Sequence, residues 1–154
     1  MTTIAYTQFT LASDSASSIG SMNYEMDCKK IHLNVGPFAY IGVAGDFQRA
    51  QGFLKEIGSI RSVQDIVDKN QYGKHNNTGV EMLCIAHDDT LWSYNGESIF
   101  ELRADLNYAI GTGAEYALGA MCHGATATEA VVVASKYDMY TNNVLQVYHL
   151  KENP

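Results

Sequence analysis

The spacing of apolar residues changes period in a fixed order along the chain, and that order restricts the fold more than any other feature. From Lys30 the pattern alternates: Ile31, Leu33 and Val35 face one way, His32 and Asn34 the other. Gly36 and Pro37 mark a turn, and Phe38 to Val43 complete a hairpin over 30–43. Phe47, Ala50, Phe53, Leu54 and Ile57 then recur at helical spacing, and Gly58 ends that helix. Ser62 and Asp65 have capping-box spacing ahead of Ile66 and Val67, which predicts a short second helix. After a polar loop over 70–79 the pattern returns to strands. Residues 80–86 are almost continuously apolar and read as buried on both faces. His87 to Asp89 turn the chain into Thr90–Tyr94, Asn95 and Gly96 signal a hairpin, and Ile99–Leu102 and Tyr108–Ile110 follow. Gly111, Thr112 and Gly113 break the last of these strands. Ala114, Ala117, Leu118 and Met121 mark a third helix, stopped by Gly124. Thr126 and Glu129 form a capping box for a fourth, carried by Ala127, Ala130, Val131 and Ala134 to about Asp138. Val144, Val147, Tyr148 and Leu150 close the chain as a strand. Residues 3–13 read as a strand or strand pair, and 14–29 as a small, polar turn with a short strand.

The helices therefore come in pairs between sets of strands. A helical hairpin cannot serve as the single crossover of a βαβ unit. The economical packing is an α+β fold, a four-layer αββα sandwich of two antiparallel sheets flanked by helical hairpins. The 154 residues suit one domain over 1–154, with no repeat, low-complexity tract or linker. Hydrophobic residues at 46% against 18% charged exclude a disordered chain. A formal charge of -7 argues against nucleic-acid or anionic-membrane partners. No apolar run approaches the roughly 18 residues of a membrane span. No signal peptide is visible, so the expected location is cytoplasmic and the sequon at Asn76–Thr78 carries little weight. Cys28, Cys84 and Cys122 lack CxxC spacing and read as reduced thiols. The five histidines are scattered, which disfavours a zinc enzyme.

Chemistry enters at the N-terminus. Removal of Met1, which precedes a small residue, leaves Thr2 with a hydroxyl and a free α-amine. With an ordinary pKa of about 7.7–8.0, that amine is partly neutral near pH 7. It can take the hydroxyl proton directly or through one water, making one residue both nucleophile and base. By itself the Met1–Thr2 dipeptide says little, since most chains begin with residues that do nothing.

Several further segments change that reading. The run Thr2-Thr3-Ile4 is followed by Ala12-Ser13-Asp14, Lys29-Lys30-Ile31 and the stretch Ile41–Gln48 with its Gly42-x-x-Gly45-Asp46 pattern. Ala109–Ala117 around Gly111-Thr112-Gly113 and the stretch Asp138–Thr141 come next. In this order and at these spacings the chain resembles the proteasome β-subunit and the HslV-type peptidase, which are N-terminal-nucleophile hydrolases. The resemblance implies a threonine-type endopeptidase with Thr2 as nucleophile. It implies that Lys30 lies beside the Thr2 hydroxyl, paired with Asp14, and that the Gly42 N–H receives the oxyanion. Thr112 would bond near the Thr2 amine, supported by Asp138. Ser135, Asp138 and Thr141 match positions that can hold a structural monovalent cation through backbone carbonyls; no other cofactor is implied. Tyr40, Ala44 and Gln48, with Cys28 nearby, would line the first specificity pocket, and a tyrosine wall favours small or apolar side chains. Peptides or unfolded proteins would be the substrates, the chain would assemble into rings, and a separate ATP-dependent unfoldase could feed it. The chain itself has no P-loop motif.

The sequence also departs from the pattern. The segment from Ile57 to Val80 is short, which truncates the second helix and leaves the ring size open. Only Met1 precedes Thr2 here, so maturation would proceed by methionine removal rather than self-cleavage. If Met1 is retained, Thr2 has no free amine. A non-catalytic structural or assembly subunit of the same fold is therefore the alternative, and a small-molecule amidase a third.

Overall fold

The computed structural model describes residues 2–19, 22–25, 28–71 and 79–150. Met1, most of the 70–79 loop with its Asn76–Thr78 sequon, and four residues of the polar 14–29 segment lie outside the described residues. The chain forms two compact units, 31–103 and the pair of segments 1–30 and 104–154.

The unit over 31–103 holds a five-stranded antiparallel sheet in sequence order: β5 (Ile31–Val35), β6 (Phe38–Gly45), β7 (Val80–Ala86), β8 (Leu91–Tyr94) and β9 (Ile99–Leu102). Two helices, α1 (Phe47–Ile57) and α2 (Val63–Gln71), are inserted between β6 and β7. Asp46 caps α1 by accepting from the N–H groups of Gln48 and Arg49, a local choice written in the Gly45-Asp46 step. The helical stripe Ala50, Phe53 and Ile57 and Ile66 of α2 are buried with Ile41, Val43, Met82 and Cys84 of the sheet. Phe53 stacks on Tyr94 with ring centroids 4.4 Å apart. Gly45 has φ +98, and a Cβ there would stand 1.8 Å from the Gly79 carbonyl oxygen, so only glycine lets these two segments meet. Along β7 only Glu81 is exposed.

The other unit is built on a four-stranded antiparallel sheet in the order β10 (Tyr108–Ile110), β1 (Ile4–Thr7), β2 (Thr10–Ser13) and β11 (Gln146–His149). The hairpin α3 (Ala114–Cys122) and α4 (Ala127–Tyr137) packs on it. The contact layer consists largely of alanines: Ala5 and Ala12 from the sheet, Ala117, Ala127, Ala130 and Ala134 from the helices, with Met121 and Val131. Small side chains bring the helices close to the sheet. Thr126 and Glu129 form the capping box expected for α4.

The order of strands and paired helices is the one the periodicity predicts. The β8–β9 hairpin turns over 95–98 as expected, with the Asn95 side chain accepting from both the Glu97 and Ser98 N–H groups. Two details differ. The 14–29 segment carries two short paired strands, β3 (Ser17–Ile19) and β4 (Met22–Glu25), rather than one. Val144 and Leu150 fall outside β11.

Candidate active site

Thr2 and Thr3 precede β1, which runs between β10 and β2. This central place explains why Thr2 is 5% exposed and Thr3 fully buried although they stand near the chain start. The turn from β10 into α3 passes directly over them. Gly111 has φ +95, and a Cβ on it would lie 2.0 Å from the Thr2 carbonyl oxygen. A Cβ on Gly113 would lie 1.9 Å from Thr3 Oγ1. The Gly-Thr-Gly sequence is thus a requirement of close backbone approach, and the Gly113 N–H donates to the Thr2 carbonyl over 3.3 Å.

Between the two glycines, Thr112 presents its hydroxyl to Thr2. The Thr2 N–H donates to Thr112 Oγ1 at 3.3 Å, and Thr112 Oγ1 donates to Asp138 Oδ2 at 2.6 Å. Thr141 donates to the same carboxylate oxygen at 2.6 Å, and the Tyr140 N–H reaches Oδ1 at 3.3 Å. Burial raises the Asp138 pKa, but these hydrogen bonds outweigh it and leave the carboxyl below the ordinary carboxylate value. Asp138 ends α4 as its C-cap residue, and its N–H still bonds the Ala134 carbonyl.

A second network centres on Asp14, which is fully buried. Lys30 Nζ stands 2.8 Å from Asp14 Oδ1 as a buried ion pair. The same oxygen accepts from the Thr3 N–H at 3.0 Å. Oδ2 accepts from the N–H groups of Ala16 and Asn142, each at 3.2 Å. Burial lowers the Lys30 pKa below the ordinary lysine value, while the Asp14 charge and hydrogen bond pull it back up.

Thr3 joins the two networks. Its N–H serves Asp14 and its hydroxyl meets Thr141 Oγ1 at 2.7 Å. Sequence reasoning missed Thr3 as a site residue, though the doubled threonine at the chain start carried a signal. It also missed Asn142, whose Oδ1 accepts from the Ser15 N–H at 3.0 Å. Gln146 was missed as well: its Nε2 donates to the Cys28 carbonyl at 2.8 Å and its Oε1 accepts from the Lys30 N–H at 3.1 Å. Nothing in a lone asparagine or glutamine near the C-terminus announces such bonds.

The structure thus brings together Thr2, Thr112, Asp138 and Thr141 in one chain of hydrogen bonds, and Asp14 with Lys30 in another. Cys28 is half-buried in the same unit, two residues from Lys30. Ser135 is half-buried on α4 and its hydroxyl donates to the Val132 carbonyl at 2.6 Å. Gly42, Tyr40 and Ala44 lie on β6 in the 31–103 unit, on the face opposite Ile41 and Val43 by strand alternation. Gly42 and Ala44 are buried and Tyr40 half-buried; Gln48 is exposed in the first turn of α1. Burial pushes the Cys84 thiol well up and makes it inert packing; Cys122 is exposed. Among the described residues, no cluster of His, Cys, Asp and Glu could hold a metal ion.

No family model matches the chain, and neither does any curated protein. Solved structures do. The chain is similar to Thiobacillus denitrificans BPH, at 20% identity and a TM-score of 0.70, over 99% of both chains. It is similar to the same protein in complex with epoxomicin, at 20% identity and a TM-score of 0.70, over 98% of this chain and 99% of that one. It is also similar to eukaryotic HslV from Trypanosoma brucei, at 17% identity and a TM-score of 0.73, over 96% and 97%. The chain has the HslV-type, proteasome-like α+β fold, in which the described residues form two main antiparallel sheets, the short β3–β4 pair and four helices. Among the described residues no helix is long and apolar enough to cross a membrane.

Proposed function

We propose that the protein is a threonine-type peptidase that cuts peptide bonds with Thr2 after Met1 is removed. The observation that carries the reading is the Thr2 nitrogen held by the Thr112 hydroxyl, itself anchored on Asp138. A free amine at this position would be oriented by the same hydroxyl. It would take the proton of Thr2 Oγ1 as the oxygen attacks the scissile carbonyl, and pass that proton to the leaving amine. The acyl-enzyme would then be released by water, with the amine again as base. Lys30, fixed by Asp14, would stabilise the developing alkoxide, and the Gly42 N–H would receive the oxyanion. Tyr40, Ala44, Gln48 and Cys28 would form the pocket for the residue before the scissile bond. A monovalent cation would be held by the backbone carbonyls of Ser135, Asp138 and Thr141. Ring assembly, a separate unfoldase and a cytoplasmic setting belong to the same proposal.

Intact mass and a covalent probe test it. Epoxomicin, found in complex with BPH, is the probe of choice. The expected result is a mass lacking methionine and an adduct that disappears in Thr2→Ala. A retained methionine with no adduct sinks the proposal and leaves a non-catalytic subunit of the same fold. Electron microscopy of the purified protein tests the ring.

A further inference from the structure

Residues 28–30 belong to no strand, yet they carry the lysine on which the proposed chemistry depends. The Cys28 N–H donates to the Ser15 carbonyl at 2.7 Å. Two further bonds to the backbone of this segment come from one side chain on β11, the Gln146 carboxamide. Its Nε2 reaches the Cys28 carbonyl and its Oε1 receives the Lys30 N–H. A carbonyl at one residue and an N–H two residues on are what a neighbouring strand would pair with. We propose that Gln146 stands in for that missing strand and is a positioning residue that fixes where the Lys30 ammonium sits. The inference rests on the peptidase reading for its consequence, not for its geometry.

The register closes the argument. Gln146 lies opposite Ser13 across β2 and β11, so its strand position is tied to the residue before Asp14. Asp14 holds the ammonium end of Lys30 and Gln146 holds its backbone end. A lysine carries its charge on a flexible four-carbon stem, and pinning one end alone leaves the charge free to wander. Pinning both ends to adjacent points of one sheet gives the ammonium a single place. A carboxamide does this from one group, whereas a carboxylate has no donor for the Cys28 carbonyl and an apolar chain has neither function.

Gln146→Met keeps the length and loses both bonds. Gln146→Asn keeps the carboxamide but falls one methylene short of bridging both partners. In each, NMR titration of the Lys30 side chain and steady-state peptide kinetics are read beside urea unfolding. Release of the backbone lets the Lys30 stem reach solvent, so its titration midpoint rises toward the ordinary 10.5. The expected kinetic result is kcat lower by about tenfold or more with KM within about twofold, since misplacement acts on the reaction and not on binding. A folded variant with an unchanged Lys30 midpoint overturns the inference, whatever happens to kcat. If Gln146→Met does not fold, Gln146→Asn decides by the same readings. If the wild-type protein cleaves no peptide, the Lys30 midpoint alone still decides the role of Gln146, and the peptidase reading fails separately.

Discussion

Replacing Asp14 by alanine exposes how this site is held together. The Asp14 carboxylate is fully buried and the Lys30 side chain 5% exposed, so the substitution takes the ion-pair carboxylate away from a buried ammonium. Breaking a buried pair from one side costs about 3–5 kcal/mol. The N–H groups of Thr3, Ala16 and Asn142 also lose their acceptor, which places the effect at the upper end of that range without adding in full. At about 2–4 °C per kcal/mol for a chain of this size, the melting temperature should fall by roughly 10 °C or more. The loss must also depend on pH. Burial already lowers the Lys30 pKa, and removing Asp14 removes the charge and hydrogen bond that oppose burial. Between that depressed value and 10.5 the unfolded chain binds the proton that the folded chain has shed, so stability rises with pH across this window. Below it both states are protonated and the full penalty applies. Urea unfolding at several pH values measures this. The double variant Asp14→Ala, Lys30→Met removes the ammonium as well and should recover about 2 kcal/mol or more relative to additivity. An Asp14→Ala protein within about 1 kcal/mol of wild type at neutral pH, or an additive cycle, would refute the reasoning.

Three further outcomes are expected. Gly113→Ala drives a methyl into Thr3 Oγ1 and toward Ala134 and Thr141; it should cost about 1–3 kcal/mol in urea unfolding and abolish epoxomicin labelling. Asp138 has a folded pKa below its ordinary 3.8, so its contribution is full above that value and lost as pH falls through the folded one. Asp138→Asn should therefore show a shallower stability loss as pH falls below 3.8, read by thermal unfolding. Thr126→Ala removes the α4 capping box and should cost about 1 kcal/mol while leaving probe labelling intact, which separates helix stability from the site.

What the sequence by itself determined is local. The change from a two-residue to a 3.6-residue apolar period placed the strands and the paired helices, because which residues face a core depends only on backbone geometry. Caps and turns were equally legible: Asp46 at α1, Thr126 with Glu129 at α4, and the glycines of the Gly111–Gly113 turn each satisfy or permit a nearby backbone group. The residue types of the site could be nominated on the same basis, Thr2 for its chemistry and Asp14 and Lys30 through resemblance. Only the tertiary structure decided which of them meet. Asp138 reaches Thr112 across 26 residues and Thr112 reaches Thr2 across 110. Thr3 meets the side chains of Asp14 and Thr141, and Gln146 the backbone groups of Lys30 and Cys28 across 116 and 118 residues. Hydrogen bonds of that kind leave no periodic trace in a sequence, since a carboxamide has the same letter whether it faces water or holds a lysine in place.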